Sequence, residues 1–151
     1  MSKLGCTELF FVQREVKFNG DYYREILLKE KLLPCIKEMS GDNFIFQQDS
    51  SPVHRAHDTI ALLRQETPDF ISPDQWPSNS LDITPVDYKI WAVMQERVYE
   101  KRVNDVDELC QRLLSVWHST GQNVIDEAID QWRARLTACV RAKGGHFEHL
   151  M

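Results

Sequence analysis

Three things are scarce in this chain of 151 residues. It has no surplus of basic residues: 18 Lys and Arg face 23 Asp and Glu, a formal net charge of −5. Nucleic-acid binders usually carry such a surplus to displace counterions from phosphates, so strong autonomous DNA binding is disfavoured. Basic side chains gather only locally, at Arg133, Arg135, Arg141 and Lys143. Long apolar runs are also missing, and none approaches the roughly 18–20 residues of a membrane span. The opening MSKLGCTELFF lacks a signal peptide's apolar centre and small-residue cleavage site. The expectation is an intracellular protein, nuclear or cytoplasmic, with no membrane partner. Cysteine pairing is the third absence. Cys6, Cys35, Cys110 and Cys139 are scattered without a C-x-x-C pair, which excludes a disulfide framework and a zinc knuckle. They are expected to be buried, reduced thiols.

What is present is an alternation of strand-like and helix-like stretches. Residues 7–13, TELFFVQ, mix aromatic and β-branched types and predict a strand. Phe18-Asn19-Gly20 supplies a turn, and Asn19 or Asp21 can cap a helix over 22–39. Its inward face would be Tyr23, Ile26, Leu27, Leu33 and Ile36, and Pro34 should kink or divide it. A second, buried strand is predicted at 43–48, and then a helix capped by Ser51-Pro52 and running to about Gln65. DFIS, 69–72, predicts a third strand. A Pro-rich loop at 73–85 ends in Thr84-Pro85, which opens a helix with Ile90, Trp91, Met94 and Val98 on one stripe. Asp87, a turn ahead of Trp91, is placed on that same stripe. Two more helices follow. One opens with the capping-box pattern Asp105-x-x-Glu108 and turns Val106, Leu109, Leu113 and Val116 inward. The other runs from about Asn123 to Ala142, with Ile125, Ala128, Ile129, Trp132, Leu136 and Cys139 inward, and stops at Gly144-Gly145. The order β-α-β-α-β-loop-α-α-α indicates an α/β layered domain, with a thin sheet for so many helices.

Two carboxylates carry the candidate chemistry. Asp49 ends the second strand, and Asp87 lies in the first turn of its helix. Two carboxylates meeting at one point suit a hard divalent cation, which prefers oxygen ligands. Two such metals activate a nucleophile and stabilise the leaving oxygen in phosphodiester chemistry. Blander readings compete: Asp49 as an Asx-turn residue before Ser50-Ser51, and Asp87 as a first-turn acid favouring the helix dipole. His54 and His57, three apart, lack a thiol or third histidine for a zinc site.

At these residues the chain resembles a known family. FIFQQDSSPVHRAH is similar to the second-aspartate block of the mariner-like transposases, a DDE/DDD superfamily with an RNase H-like catalytic core. WPSNSLDITPVDYKIWAVMQERVY resembles the family's third-carboxylate block, and RLTACVRAKGGHFEH resembles its C-terminal end. The resemblance implies that Asp49 and Asp87 are the second and third catalytic, metal-binding carboxylates, for Mg²⁺ or Mn²⁺. Thirty-seven residues lie between them (87 − 49 − 1). Gln48 and His54 match flanking polar positions of the block.

The same resemblance implies an incomplete catalytic domain over residues 1–151. The family's first catalytic Asp stands on the opening strand of its core, but the first twenty residues hold only Glu8 and Glu15 as acids. TELFFVQ then corresponds to the third strand, leaving a partial RNase H-like fold: three strands retained, the first two and the helix-turn-helix region absent, helices on both faces and a C-terminal helical pair. Leu81 also stands where the family has a proline. The expectation is a transposase-derived domain related to metal-dependent DNA cleavage and transfer, with DNA as an ancestral and weak partner and catalysis disabled. Two alternatives stay open. One is an acidic helical interaction or dimerisation module forming a homo-oligomer, and the other an active nuclease that takes its first carboxylate from another chain.

Overall fold

A computed structural model describes residues 1–76, 82–145 and 147. The chain divides into two compact units, one formed by Leu4–Ser80 and the other by Met1–Lys3 with Leu81–Met151.

The first unit is built around one βαβ crossover. β1 (Ile45–Phe46) pairs in parallel with β2 (Asp69–Phe70), in the register Ile45↔Asp69 and Phe46↔Phe70. A parallel pair needs a long connection, and α3 (His57–Glu66) provides it. α3 stops at Thr67, whose N–H bonds Leu63 O before Pro68 bars further helix. Two helical segments precede the crossover, α1 (Tyr22–Leu32) and α2 (Leu33–Ser40). Asn19 caps α1, its Oδ1 accepting the Tyr22 N–H at 2.9 Å. α1 is wound wider than an α-helix, with Leu33 N–H reaching back five residues to Leu28 O. Pro34 sits in the first turn of α2, where its missing N–H costs least. The backbone stays helical through Leu32 and Leu33, so Pro34 marks a change of winding and not a break. Gly41, at φ +57°, ends α2 in a conformation that a side chain would strain. The core joins Tyr23, Leu28 and Leu33 to Leu62 and Leu63 of α3, with Phe46 and Phe70 packed against them.

In the second unit α4 (Val86–Ile90) and α5 (Trp91–Val98) follow one another, then α6 (Val106–Ser119) and α7 (Gln122–Arg141). Ile90, Met94 and Val98 form the buried stripe at helical spacing. α7 contributes Ile125, Ala128 and Cys139 to the interior. Tyr88 donates its hydroxyl to Ala128 O, and the Arg135 guanidinium lies 3.9 Å from the centre of the Tyr88 ring. Arg135 also bonds Asp82 O at 3.0 Å, which takes it out of the local basic group read from sequence. α6 begins at Asp105, whose Oδ1 accepts the Glu108 N–H at 2.8 Å. Glu108 reaches back to the Asn104 N–H, one residue before the position a capping box uses. Gly144, at φ +77°, closes α7 with its N–H on Cys139 O.

Several expectations are corrected. Two strands, not three, occur among the described residues, and TELFFVQ is not one of them. Its aromatic composition suits a pleated surface, but a strand needs a neighbour to take its backbone bonds. Phe11 and Val12 are instead exposed. β1 is shorter than 43–48 and not buried on both faces, since Ile45 is 65% exposed. α6 buries none of its residues, and Val106 is exposed. Trp91 is 47% exposed, so Asp87 does not share a buried stripe with it. Only Cys139 is a buried thiol; Cys6, Cys35 and Cys110 are half-buried and free. Pro77, Ser80, Leu81, His146, Glu148 and His149, which the sequence reading used, lie outside the described residues.

Candidate metal centre at the tip of the first strand

β1 ends at Phe46, and three residues later the chain turns through Asp49. Asp49 Oδ1 accepts the Ser51 N–H at 2.9 Å, the Asx turn expected from Asp-Ser-Ser. The same oxygen meets His54 Nδ1 at 2.5 Å. Ser51 O in turn takes the N–H groups of His54 and Arg55, and the Thr59 hydroxyl bonds Val53 O. Residues 51–56 are thereby held as a separate turn, and α3 begins only at His57. The expected helix start at Ser51-Pro52 is displaced because these side-chain bonds offer the backbone an alternative.

Three residues close a ring beside this turn, and Asp49 joins it through His54. Tyr23 of α1 donates its hydroxyl to Gln48 Oε1 at 2.7 Å. Gln48 Nε2 donates to His54 O at 3.1 Å. The His54 ring lies against the Tyr23 ring with centroids 4.5 Å apart, and its Nδ1 reaches Asp49. Burial pushes the Tyr23 phenol well above its ordinary value, and the Asp49 charge adds to this, so the hydroxyl stays a donor.

Burial also pushes the Asp49 carboxyl up, but the Ser51 N–H and His54 outweigh it and hold the group below its ordinary value of 3.8. A depressed carboxyl binds fewer protons folded than unfolded, so it contributes stability above the ordinary value and loses it as pH falls. Urea midpoints measured from pH 6 down to pH 3 should therefore fall less steeply for Asp49→Asn than for the wild type.

The donor set suits a hard cation in kind. The Ser51 N–H and His54 both bond Oδ1 of an ionised, half-buried carboxylate, a group that would suit a hard cation. The buried Ser50 hydroxyl beside it has no hydrogen-bond partner among the described residues. Among those residues no group of three or more His, Cys, Asp or Glu side chains is placed to hold a metal.

Asp87 lies in the second unit. It is half-buried in the first turn of α4, where its N–H bonds Thr84 O at 2.9 Å. A carboxylate there is also favoured by the helix dipole. Asp49 and Asp87 thus stand in different units. His57 has a side chain 95% exposed and does not join His54 on a shared face. Tyr23 is the member of the site that sequence reasoning missed. Its spacing marks it as a core residue of α1, and nothing local announces that its hydroxyl reaches Gln48.

The chain was compared with known proteins. No family model matches it. The Tcb2 transposase of Caenorhabditis briggsae is 28% identical over 120 residues, covering 80% of this chain and 42% of that protein. The Tcb1 transposase of the same organism is 24% identical over 143 residues, 93% of this chain and 51% of that protein. The chain therefore spans about half or less of the length of these relatives. Among solved structures, the Mos1 transposase catalytic domain with raltegravir and Mn superposes with a TM-score of 0.82 at 19% identity, covering 98% of this chain and 74% of that one. The Mos1 mariner catalytic domain gives 0.79 at 20% identity. No helix among the described residues is long and apolar enough to cross a membrane. The relatives of this chain are thus Tc1/mariner-family transposases, and its helix-rich fold with a small parallel sheet is that of the Mos1 catalytic domain.

Proposed function

We propose that the chain is a transposase-derived domain of partial RNase H-like architecture, carrying two carboxylates of a metal site for DNA cleavage and strand transfer. The observation that carries this reading is Asp49: an ionised carboxylate, tied through one oxygen at the tip of a parallel strand. Its fold is that of a catalytic domain solved with Mn and with Mg. Asp87, in the first turn of α4, is the second carboxylate of the pair.

In this reading Asp49 and Asp87 are each metal-binding carboxylates, for Mg²⁺ or Mn²⁺. The bound cation would activate water or a 3′-hydroxyl and stabilise the leaving oxygen of a phosphodiester. The chain's own residues hold Asp49 through Ser51 and His54, and Asp87 stands in the first turn of α4. DNA is the substrate class, bound weakly because the net charge of −5 opposes phosphate contact. A complete ligand set is required for catalysis of this kind, and these 151 residues by themselves supply two of the three carboxylates.

Two measurements test the proposal on the 151-residue chain. With supercoiled DNA and Mn²⁺ it should give no nicking above a protein-free control. Nicking that disappears in Asp49→Ala would overturn the inactive reading. Mn²⁺, followed by water-proton relaxation, should bind weakly. Asp49→Asn and Asp87→Asn should each weaken that binding; affinity unchanged in both would refute the metal site.

A further inference from the structure

We propose that His54 is the positioning residue of this site, and that Tyr23 and Gln48 hold His54 in place so that Asp49 presents Oδ2 to a cation. The inference rests on the reading of Asp49 as a metal ligand and adds to it three residues with a stated role.

The argument starts from valence. A carboxylate accepts only, so the 2.5 Å contact between Asp49 Oδ1 and His54 Nδ1 requires the proton on Nδ1. A neutral ring then carries its bare nitrogen at Nε2. That bond and the Ser51 N–H at 2.9 Å converge on one oxygen. Rotation of the carboxylate about its Cβ–Cγ bond would break both. The geometry consequently distinguishes the two oxygens, since Oδ1 takes both of these bonds and Oδ2 takes neither.

His54 itself sits in a turn before α3 begins, where a side chain would ordinarily sample several rotamers. Two contacts prevent this. The Tyr23 ring packs on the imidazole at a centroid distance of 4.5 Å, and Gln48 Nε2 holds the backbone carbonyl of His54 at 3.1 Å. Tyr23 is 5% exposed and anchored in the core with Leu28 and Leu63, so the ring's support comes from a packed helix. Its hydroxyl fixes Gln48 Oε1 at 2.7 Å, which leaves the Gln48 amide nitrogen to face His54. Each group in the ring thus determines the orientation of the next. Partners of metal ligands arranged in this way typically change metal affinity about 10–100-fold when removed.

The test uses the 151-residue chain, Mn²⁺ as the probe, and four variants. His54→Phe keeps a ring against Tyr23 and removes the donor; it should weaken Mn²⁺ binding about tenfold or more. His54→Asn places an amide N–H near the position of Nδ1 and should restore most of that loss. Tyr23→Phe keeps the core packing and drops the Gln48 bond, and should weaken binding by less than His54→Phe. Asp49→Asn is the control for the metal site. Long-range ¹H–¹⁵N spectra of the wild type should show the neutral His54 ring protonated at Nδ1. Wild-type affinity in His54→Phe, with binding lost in Asp49→Asn, overturns the positioning role and leaves the metal reading intact. Wild-type affinity in Asp49→Asn overturns the metal reading, and this proposal with it. If His54→Phe fails to fold, the nitrogen spectrum decides: a bare Nδ1 in the neutral ring refutes the assignment.

Discussion

Leu63→Ala is expected to destabilise the unit Leu4–Ser80 by about 2–5 kcal/mol, the range for deleting a buried leucine side chain. Leu63 is fully buried on α3, among Tyr23, Leu28, Leu33 and Leu62. That cluster joins the α1–α2 segment to the crossover, and the substitution opens a cavity where the two meet. Marginal stability makes such a loss a large share of the total, so the urea midpoint should move to clearly lower concentration. Ile45→Ala is the informative comparison. Ile45 belongs to β1, but its side chain is 65% exposed, and the change should stay within about 0.5 kcal/mol. Equal costs at the two positions would contradict the core assigned here. The result matters for the site, because the same cluster contains Tyr23.

Met94→Ala should cost the second unit about 2–5 kcal/mol. Met94 is 2% exposed and sits between Ile90 and Val98 on the buried stripe of α4 and α5. Trp91→Ala removes more atoms but should cost less, because Trp91 is 47% exposed. From composition alone the reverse order would be expected, since tryptophan is the larger apolar side chain. Chemical denaturation of both variants decides between these orders. A larger cost at Trp91 would mean that this helix is rotated relative to the description given above.

That contrast shows what the sequence could reveal. Helical periodicity found α5, α6 and α7 within a few residues, because Ile90, Met94 and Val98 or Ile125, Ala128 and Cys139 repeat with the helix turn. Caps were legible for the same reason: Asn19, Asp105 and Gly144 act through bonds to residues a few positions away. Strands were less legible. TELFFVQ has strand composition but no ladder partner among the described residues, and pairing is a tertiary property that composition does not encode. The helix after Pro52 was misplaced because Asp49, Gln48 and Thr59 hold residues 51–56 through side-chain bonds.

The site followed the same rule. Asp49 was identified from its place after an apolar run, and its Asx turn from Asp-Ser-Ser. Both are local patterns. The ring through Tyr23, Gln48 and His54 was not visible, since Tyr23 is 25 residues from Gln48 in sequence and meets it only when α1 packs on the crossover. The Asx turn expected of Asp49 forms through Oδ1. The proposed metal role does not compete with it, because a carboxylate has a second oxygen.

The most direct test of the proposed metal pair is Mn²⁺ paramagnetic broadening in the 151-residue chain, read at the side-chain carboxyl carbons of Asp49 and Asp87. The proposal predicts that both signals broaden at Mn²⁺ concentrations that leave an exposed carboxylate such as Glu96 sharp. Broadening at Asp49 and Asp87 no greater than at Glu96 would contradict it.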